Sequence, residues 1–135
     1  MQIESHFKIR GYHCDSYGHM NNARYLELFE ESRWQMLDQG DLVNQMKRLG
    51  LLFFVVNIEV NYRRPINDGS EIVILTSVSD IGRKKMVIKQ EIWSPDQQIL
   101  FSDASVNFVL FSEKEKRAFS IDENVKRLFE KFKHA

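Results

Sequence analysis

The stretch "NARYLELFEESRWQMLD", residues 22–38, decides the fold of this chain. Its polar side chains recur every three or four residues and form one narrow stripe: Arg24, Glu27, Glu31, Gln35 and Asp38. Most of the remaining circumference is apolar, so the pattern predicts a long central helix rather than a surface helix. Gly40 supplies a typical C-terminal stop.

On both sides of this helix the pattern changes to a period of two, which is typical of strands. The clearest case is "FFVVNIEVNYRRP", residues 53–65, in which Phe54, Val56, Ile58, Val60 and Tyr62 are predicted to share one face. Similar segments are predicted at 3–10, 70–79, 84–94 and 98–111. Short connections between them favour antiparallel pairing.

The expected architecture is therefore α+β: a five-stranded antiparallel sheet wrapped around one long central helix, in a single domain spanning 1–135. A short helix is expected at 41–48. A C-terminal helix is expected at about 120–134, opened by a capping box of Ser120 and Glu123. Because a single sheet layer leaves edges exposed, we expect a homodimer or homotetramer.

Composition excludes several classes of protein. The formal net charge of the 135 residues is zero, which gives no global field for binding nucleic acid. The single cysteine, Cys14, excludes an intramolecular disulfide framework and fits a reducing compartment. The longest apolar run, Leu51 to Val56, is too short to span a bilayer, and "MQIESHFKIR" resembles a strand rather than a signal peptide. We therefore expect a cytoplasmic protein that is not inserted in a membrane.

Chemistry is concentrated in the loop "CDSYGHMNN", residues 14–22, just before the central helix. The first turn of a helix presents unpaired N–H groups and the positive end of the helix dipole, which together can stabilise an oxyanion. Asp15 is an acid within reach of that point, able to attack a carbonyl or activate water. Read locally, however, Asp15 is more often a turn or cap residue, and Asn21 and Asn22 are ordinary N-cap types.

The string as a whole resembles a known signature. "DSYGHMNNARYLELFEESR" is similar to the motif of hot-dog-fold acyl-CoA thioesterases of the 4-hydroxybenzoyl-CoA thioesterase superfamily. Together with "FFVVNIEVNYRRP" it looks closest to the bacterial long-chain acyl-CoA thioesterases of fatty-acid β-oxidation. The resemblance extends from residue 3 to about residue 111.

The resemblance implies a role for each matched residue. Asp15 corresponds to the catalytic carboxylate, as general base or nucleophile, and Asn22 to the position whose backbone N–H polarises the thioester carbonyl. His19 and Asn21 are implied to hold the loop or orient water, and Tyr25 to pack and orient. In the related line that uses a glutamate on the central helix, the loop aspartate is absent.

Cations and amides elsewhere suggest contacts with coenzyme A. Arg83, Lys84 and Lys85 form a basic turn that is either a solvated hairpin or a phosphate contact, and the family often places phosphate contacts in this neighbourhood. Arg63 and Arg64 are a second, lower-ranked patch. Asn57 either hydrogen-bonds the catalytic loop or the pantetheine arm, or is exposed at an edge.

Two further readings of the sequence are less favoured. Glu30 is expected to form an i, i+3 salt bridge with Arg33 rather than act as a second catalytic acid. The cluster of His13, Cys14, Asp15 and His19 has metal-ligand residue types, but alternating residues on an extended loop point apart, so no metal and no cofactor is expected.

The resemblance thus implies hydrolysis of fatty acyl-CoA, of medium to long chain, to free fatty acid and coenzyme A. Two alternatives remain: a non-catalytic acyl-CoA binding module on the same fold, and a thioesterase acting on acyl carrier protein.

Overall fold

The computed structural model describes residues 1–134. Six strands and three α-helices follow one another along the chain: β1 Ile3–Lys8, α1 Asn22–Gln39, α2 Leu42–Arg48, β2 Leu51–Tyr62, β3 Glu71–Ile81, β4 Lys85–Trp93, β5 Leu100–Ser112, β6 Arg117–Phe119 and α3 Glu123–Glu130. A short 3₁₀ turn, Gly11–His13, lies between β1 and α1.

The strands form one antiparallel sheet in the order β1-β3-β4-β5-β2. The sheet curls around α1, as predicted, and β1 and β2 are its two edges. A short sixth strand, β6, pairs with the end of β5 and was not predicted, because three residues between polar turns give too little alternation to detect.

Helix α1 is anchored to the sheet by apolar packing and by one buried polar cluster. Phe29 and Met36 are fully buried beneath it. Gln90, buried on β4, donates to the carbonyl oxygen of Phe29 at 2.9 Å and to Oγ1 of Thr76 at 3.0 Å. Its own carbonyl oxygen accepts from Nη1 of Arg33 at 3.0 Å. These bonds tie the middle of the helix to the centre of the sheet.

Two expectations about the ends of elements need correction. Helix α3 begins at Glu123, not at 120, because the Asp122 side chain accepts from the Val125 N–H at 2.9 Å and so acts as the N-cap in place of Ser120. The helix also ends at Glu130 rather than near 134. Helix α1 closely follows its predicted range.

The predicted alternation along β2 is wrong in one place. A bulge lies between Val55 and Asn57, so the face reverses there. Val55 pairs with the inward-facing Phe108, and Ile58 pairs with the inward-facing Val106, whereas Phe54 faces outward and packs against Phe111. The inner face of β2 therefore carries Val55, Ile58 and Tyr62, not Phe54.

The inner face of β2 is only partly covered. Helix α1 packs over β3 and β1, on the far side of the sheet from β2. As a result Val55, Ile58 and Tyr62 remain exposed although they face inward, and Leu26 and Trp34 are exposed on the neighbouring side of α1. These five residues define an apolar trough that runs between α1 and β2.

Candidate active site

The loop that carries Asp15 is fixed mainly by its backbone. Cys14 and Met20 pair across it, the Asp15 N–H donates to the carbonyl of His19 at 2.9 Å, and the Gly18 N–H donates to the carbonyl of Asp15 at 3.0 Å. Gly18 has φ of 77°, a conformation that favours glycine and closes this tight turn. The Met20 N–H then donates to the carbonyl of Ile66 at 2.7 Å, which attaches the loop to the segment after β2.

Asp15 is an exposed residue with one carboxylate oxygen committed to the loop. Oδ1 accepts from the Tyr17 N–H at 2.9 Å and from the His19 N–H at 3.4 Å. Oδ2 has no protein donor among residues 1–134. Asp15 is therefore a turn residue, as the local reading predicts, but its second oxygen is left available to a ligand.

The N-terminus of α1 presents one free amide to the same region. Asn21 is the N-cap: its side chain accepts from the Ala23 N–H at 3.0 Å, and its own N–H donates to the carbonyl of His13 at 2.8 Å. The N–H of Asn22 has no protein acceptor in the described part of the chain. Because it belongs to the first turn, it lies at the positive end of the helix dipole.

Asp15 and Asn22 line one open pocket of 340 Å³, together with Met20, Tyr25, Tyr62, Arg63, Arg64 and Pro65. The hydroxyl of Tyr62 donates to the carbonyl oxygen of Asn22 at 3.1 Å and so holds the helix start against β2. Tyr25 is buried and meets Tyr62 edge to face, with ring centroids 4.9 Å apart. Burial raises the pKa of Tyr25, which suits packing rather than acid–base work.

His19 contributes to the loop through its backbone. Its N–H and carbonyl contact Asp15, and it pairs with Asn67. Its imidazole makes no hydrogen bond to residues 1–134. Within the same residues, no three His, Cys, Asp or Glu side chains are placed to hold a metal ion.

The two basic patches lie at opposite ends of the sheet. Arg63 and Arg64 line the pocket, where Arg63 forms an ion pair with Asp103. Arg83, Lys84 and Lys85 lie at the opposite end of the sheet. Lys85 pairs with Val109, whereas the Arg63 N–H bonds to the carbonyl of Phe101, eight residues or about 27 Å away along β5.

Asn57 is not part of this pocket. Its side-chain oxygen accepts from Nδ2 of Asn107 at 3.0 Å on the outer face of the sheet, so the edge-exposure reading describes it better. The predicted salt bridge between Glu30 and Arg33 is also absent from the described residues, because Arg33 turns inward and donates to Gln90.

A second cavity lies at the other end of the trough. It is an apolar groove of 370 Å³ between the last turns of α1, helix α2 and the start of β2. Trp34, Leu37, Val43, Leu51, Phe53 and Phe108 supply most of its wall, and Glu30, Arg33 and Lys47 are its charged members. It contains neither Asp15 nor Asn22. The groove exists because the bulge turns Val55 inward and because α1 leaves the inner face of β2 uncovered. The hydrophobic periodicity of the sequence shows neither feature.

This fold and pocket define a class of protein, and comparison with known proteins identifies it. Residues 9–129 match the model of the thioesterase-like superfamily, and the chain belongs to that family. The resemblance to hot-dog thioesterases is thereby confirmed, as is the fold.

Individual relatives agree with this assignment. The long-chain acyl-CoA thioesterase FadM of Escherichia coli K12 is 34% identical over 128 residues, covering 95% of this chain and 97% of the relative. The putative acyl-CoA thioesterase YneP of Bacillus subtilis 168 is 27% identical, covering 81% and 80%. The crystal structure of YbaW, a probable thioesterase from Escherichia coli, superposes with a TM-score of 0.90 at 33% identity, covering 97% and 98%. Among residues 1–134, no helix is long and apolar enough to cross a membrane.

Proposed function

We propose that the protein hydrolyses medium- to long-chain acyl-CoA to free fatty acid and coenzyme A, with Asp15 and the Asn22 amide acting on the thioester. One observation carries the proposal: a carboxylate with a free oxygen and a free helix N-terminal amide line the same pocket. No cofactor is required for this chemistry. The single cysteine supports a reducing compartment such as the cytoplasm.

The reaction uses the two groups on either side of one carbonyl. The thioester oxygen accepts the N–H of Asn22, which stabilises negative charge as it develops. Asp15 then removes a proton from water, whose oxygen adds to the carbonyl carbon, or Asp15 attacks that carbon itself and water cleaves the resulting anhydride. In both routes the C–S bond breaks and the coenzyme A thiolate leaves and takes up a proton.

The trough between α1 and β2 offers a place for the acyl chain. From Asn22 to Arg33 the helix advances eleven residues, about 16 Å, which suits a long rather than a short acyl group. The wall is apolar along this length. That the 34% identical relative is a long-chain acyl-CoA thioesterase supports the same substrate class.

The second edge of the sheet supports the homodimer that the sequence predicts. Strand β2 is exposed along most of its length, and its free edge is flanked by the apolar Val56 and Ile58. Pairing two copies of β2 antiparallel would continue the sheet and cover the trough.

The same pairing would give the basic turn a role. It would bring Arg83, Lys84 and Lys85 of the partner subunit to the end of the sheet where Asp15 lies. There they would join Arg64 in meeting the phosphates of coenzyme A.

The test is release of free thiol from a series of acyl-CoA substrates of increasing chain length, compared with the same acyl groups on acyl carrier protein. The proposal expects turnover that rises from short to long acyl-CoA. Binding without thiol release would establish the non-catalytic module instead, and much faster cleavage of acyl carrier protein would establish the other carrier.

A further inference from the structure

The apolar groove at the far end of the trough contains a charge that the proposed reaction does not use. Arg33 is only 7% exposed, yet it lines this groove among aromatic and aliphatic side chains. Its Nη1 donates to Gln90, whereas Nε and Nη2 donate to no acceptor within residues 1–134. Burial also lowers the pKa of Arg33, which reflects the cost of holding this charge away from water.

A guanidinium that lines an apolar groove with donors unpaired by the protein and accessible to a ligand favours an anionic ligand. Guanidinium groups bind carboxylates through paired hydrogen bonds that are stronger than neutral ones, and they gain most where water is excluded. The groove also receives Lys47 at its rim, so its charged members are two cations and one acid, Glu30. Glu30 lies one turn from Arg33 but is exposed and forms no ion pair with it among residues 1–134. The Glu30 charge opposes the effect of burial on the pKa of Arg33, but it leaves Nε and Nη2 of the guanidinium without a direct acceptor among residues 1–134.

The apolar wall of the groove indicates what the remainder of that anionic ligand must be. Trp34, Leu37, Phe53 and Phe108 form an apolar wall, and the cavity of 370 Å³ has room for a flexible alkyl chain. A small inorganic anion would gain nothing from this wall, and a neutral hydrocarbon would leave Arg33 unpaired. The chemistry that satisfies both features is one carboxylate on a long alkyl chain.

We propose that this groove binds a free long-chain fatty acid with its carboxylate on Arg33. The bound acid fills the part of the groove that the tail of a long acyl substrate would occupy, because the carbonyl of that substrate lies at Asp15 and its tail points toward Arg33. The two cannot occupy the groove together. A consequence, which rests on the proposed function, is that the product competes with long acyl chains.

Binding is measured directly, without acyl-CoA, by the fluorescence of Trp34 in a Trp93→Phe background. The ligands are dodecanoate and 1-dodecanol, both below the concentration at which they aggregate. We expect dodecanoate to bind about tenfold more tightly than the alcohol, as one charge-assisted hydrogen bond provides. Equal affinity for the two, or no binding of either, would overturn the proposal.

Substitution at Arg33 locates the carboxylate. Arg33→Met should weaken dodecanoate binding by about tenfold and leave dodecanol within about twofold. The matched control is Arg48→Met, on helix α2 but outside the groove, and it should change neither affinity by more than about twofold. If loss of the Gln90 partner prevents folding, the double variant Arg33→Met/Gln90→Leu removes both polar groups together. Unchanged dodecanoate affinity in a folded Arg33 variant would contradict the assignment.

Competition is tested separately. Dodecanoate should raise the KM for a long-chain acyl-CoA and leave that for a short-chain acyl-CoA unchanged, because a short chain does not reach the groove. If no acyl-CoA is hydrolysed at all, the proposed function fails while the binding result still stands. If both chain lengths are inhibited equally, the shared occupancy of the groove is wrong.

Discussion

The two ends of helix α1 differ in the charged groups that lie beside them and in how far those groups are exposed. At its N-terminus α1 places the unpaired N–H of Asn22 in an open pocket that the exposed carboxylate of Asp15 also lines. In the proposed reaction both groups act on charge that develops only as the thioester reacts. Eleven residues later the same helix carries a buried cation in an apolar groove. The first end is polar and accessible, and the second is apolar and closed on one side by the sheet.

In the proposed reaction, the two ends of α1 would bind different parts of a thioester substrate. The reacting carbonyl needs donors in place before the charge develops. The acyl tail needs only apolar surface, which β2 and the last turns of α1 provide. Changes at one end should therefore affect turnover, and changes at the other should affect which chains are accepted.

The largest effect that separates the ends is expected from Asn22→Pro. Proline is well tolerated at the first position of a helix, and the backbone of the preceding Asn21, with φ of −65° and ψ of 136°, is compatible with it. The substitution removes the N–H and little else, so kcat for acyl-CoA should fall by about 10²- to 10³-fold with unchanged thermal stability. Asn22→Ala, which keeps the amide, is the control and should remain close to the wild type. Equal activity of the two variants would exclude the amide as the oxyanion donor.

A smaller effect is expected from a charge on β2, at the edge through which two copies of the chain are proposed to pair. Ile58→Lys places a charge on the exposed edge strand. If two copies pair through β2 as proposed, light scattering should show a dimer for the wild type and a monomer for this variant, with activity reduced by about tenfold. Glu4→Lys adds a charge to β1, the other edge, and should leave the assembly intact. A dimer that survives Ile58→Lys but dissociates with Glu4→Lys would place the interface on β1.

The groove itself should control chain length. Val55 lines it and is exposed, so Val55→Trp fills space without disturbing the core. The KM for long acyl-CoA should rise by about tenfold, and that for short acyl-CoA should not change. Ile99→Trp is the matched control, because Ile99 is exposed, lies away from the edge of β2 and lines neither cavity. Equal effects of the two variants would mean that the acyl chain does not enter the groove.

The smallest effect concerns His13, which lies next to the loop that carries Asp15. His13 Nδ1 accepts from the Arg10 N–H at 2.9 Å, and burial together with Arg24 lowers the pKa of His13 below its usual 6.5. The imidazole of His13 therefore takes up a proton more readily in the unfolded chain than in the folded one. Its contribution to the free energy of unfolding is present above pH 6.5 and is lost as the pH falls below that value. Exchange protection of the Asn21 amide, which donates to the His13 carbonyl, should fall in that range. His13→Gln should remove the pH dependence and His6→Gln should not; persistence of the dependence in His13→Gln would assign it elsewhere.

The sequence predicts the fold well because the helical and alternating patterns lie in long, regular elements. Residues 22–38 and 53–65 carry strong periods, and the loop between Asp15 and Asn22 has a recognisable string. What it misses depends on single residues in three dimensions. The bulge between Val55 and Asn57 turns Val55 inward and Phe54 outward without altering the composition of the strand.

The buried polar cluster was missed for a related reason. Arg33 reads as a partner for Glu30 one turn away, since helix spacing alone favours that pair. Its actual partner, Gln90, is distant in sequence and lies on a strand whose alternation is unremarkable. The groove follows from the same placement, because it exists only where α1 leaves the inner face of β2 uncovered.

The measurement that tests the central claim most directly is made on Asp15→Asn. Asparagine preserves the shape of the side chain and can still accept from the Tyr17 N–H, so the loop should keep its structure. Thiol release and acyl-CoA affinity are then compared with those of the wild type in the same folded preparation. The account predicts that turnover falls by about 10³-fold while affinity changes by less than about threefold. Wild-type turnover in a folded Asp15→Asn protein would contradict it.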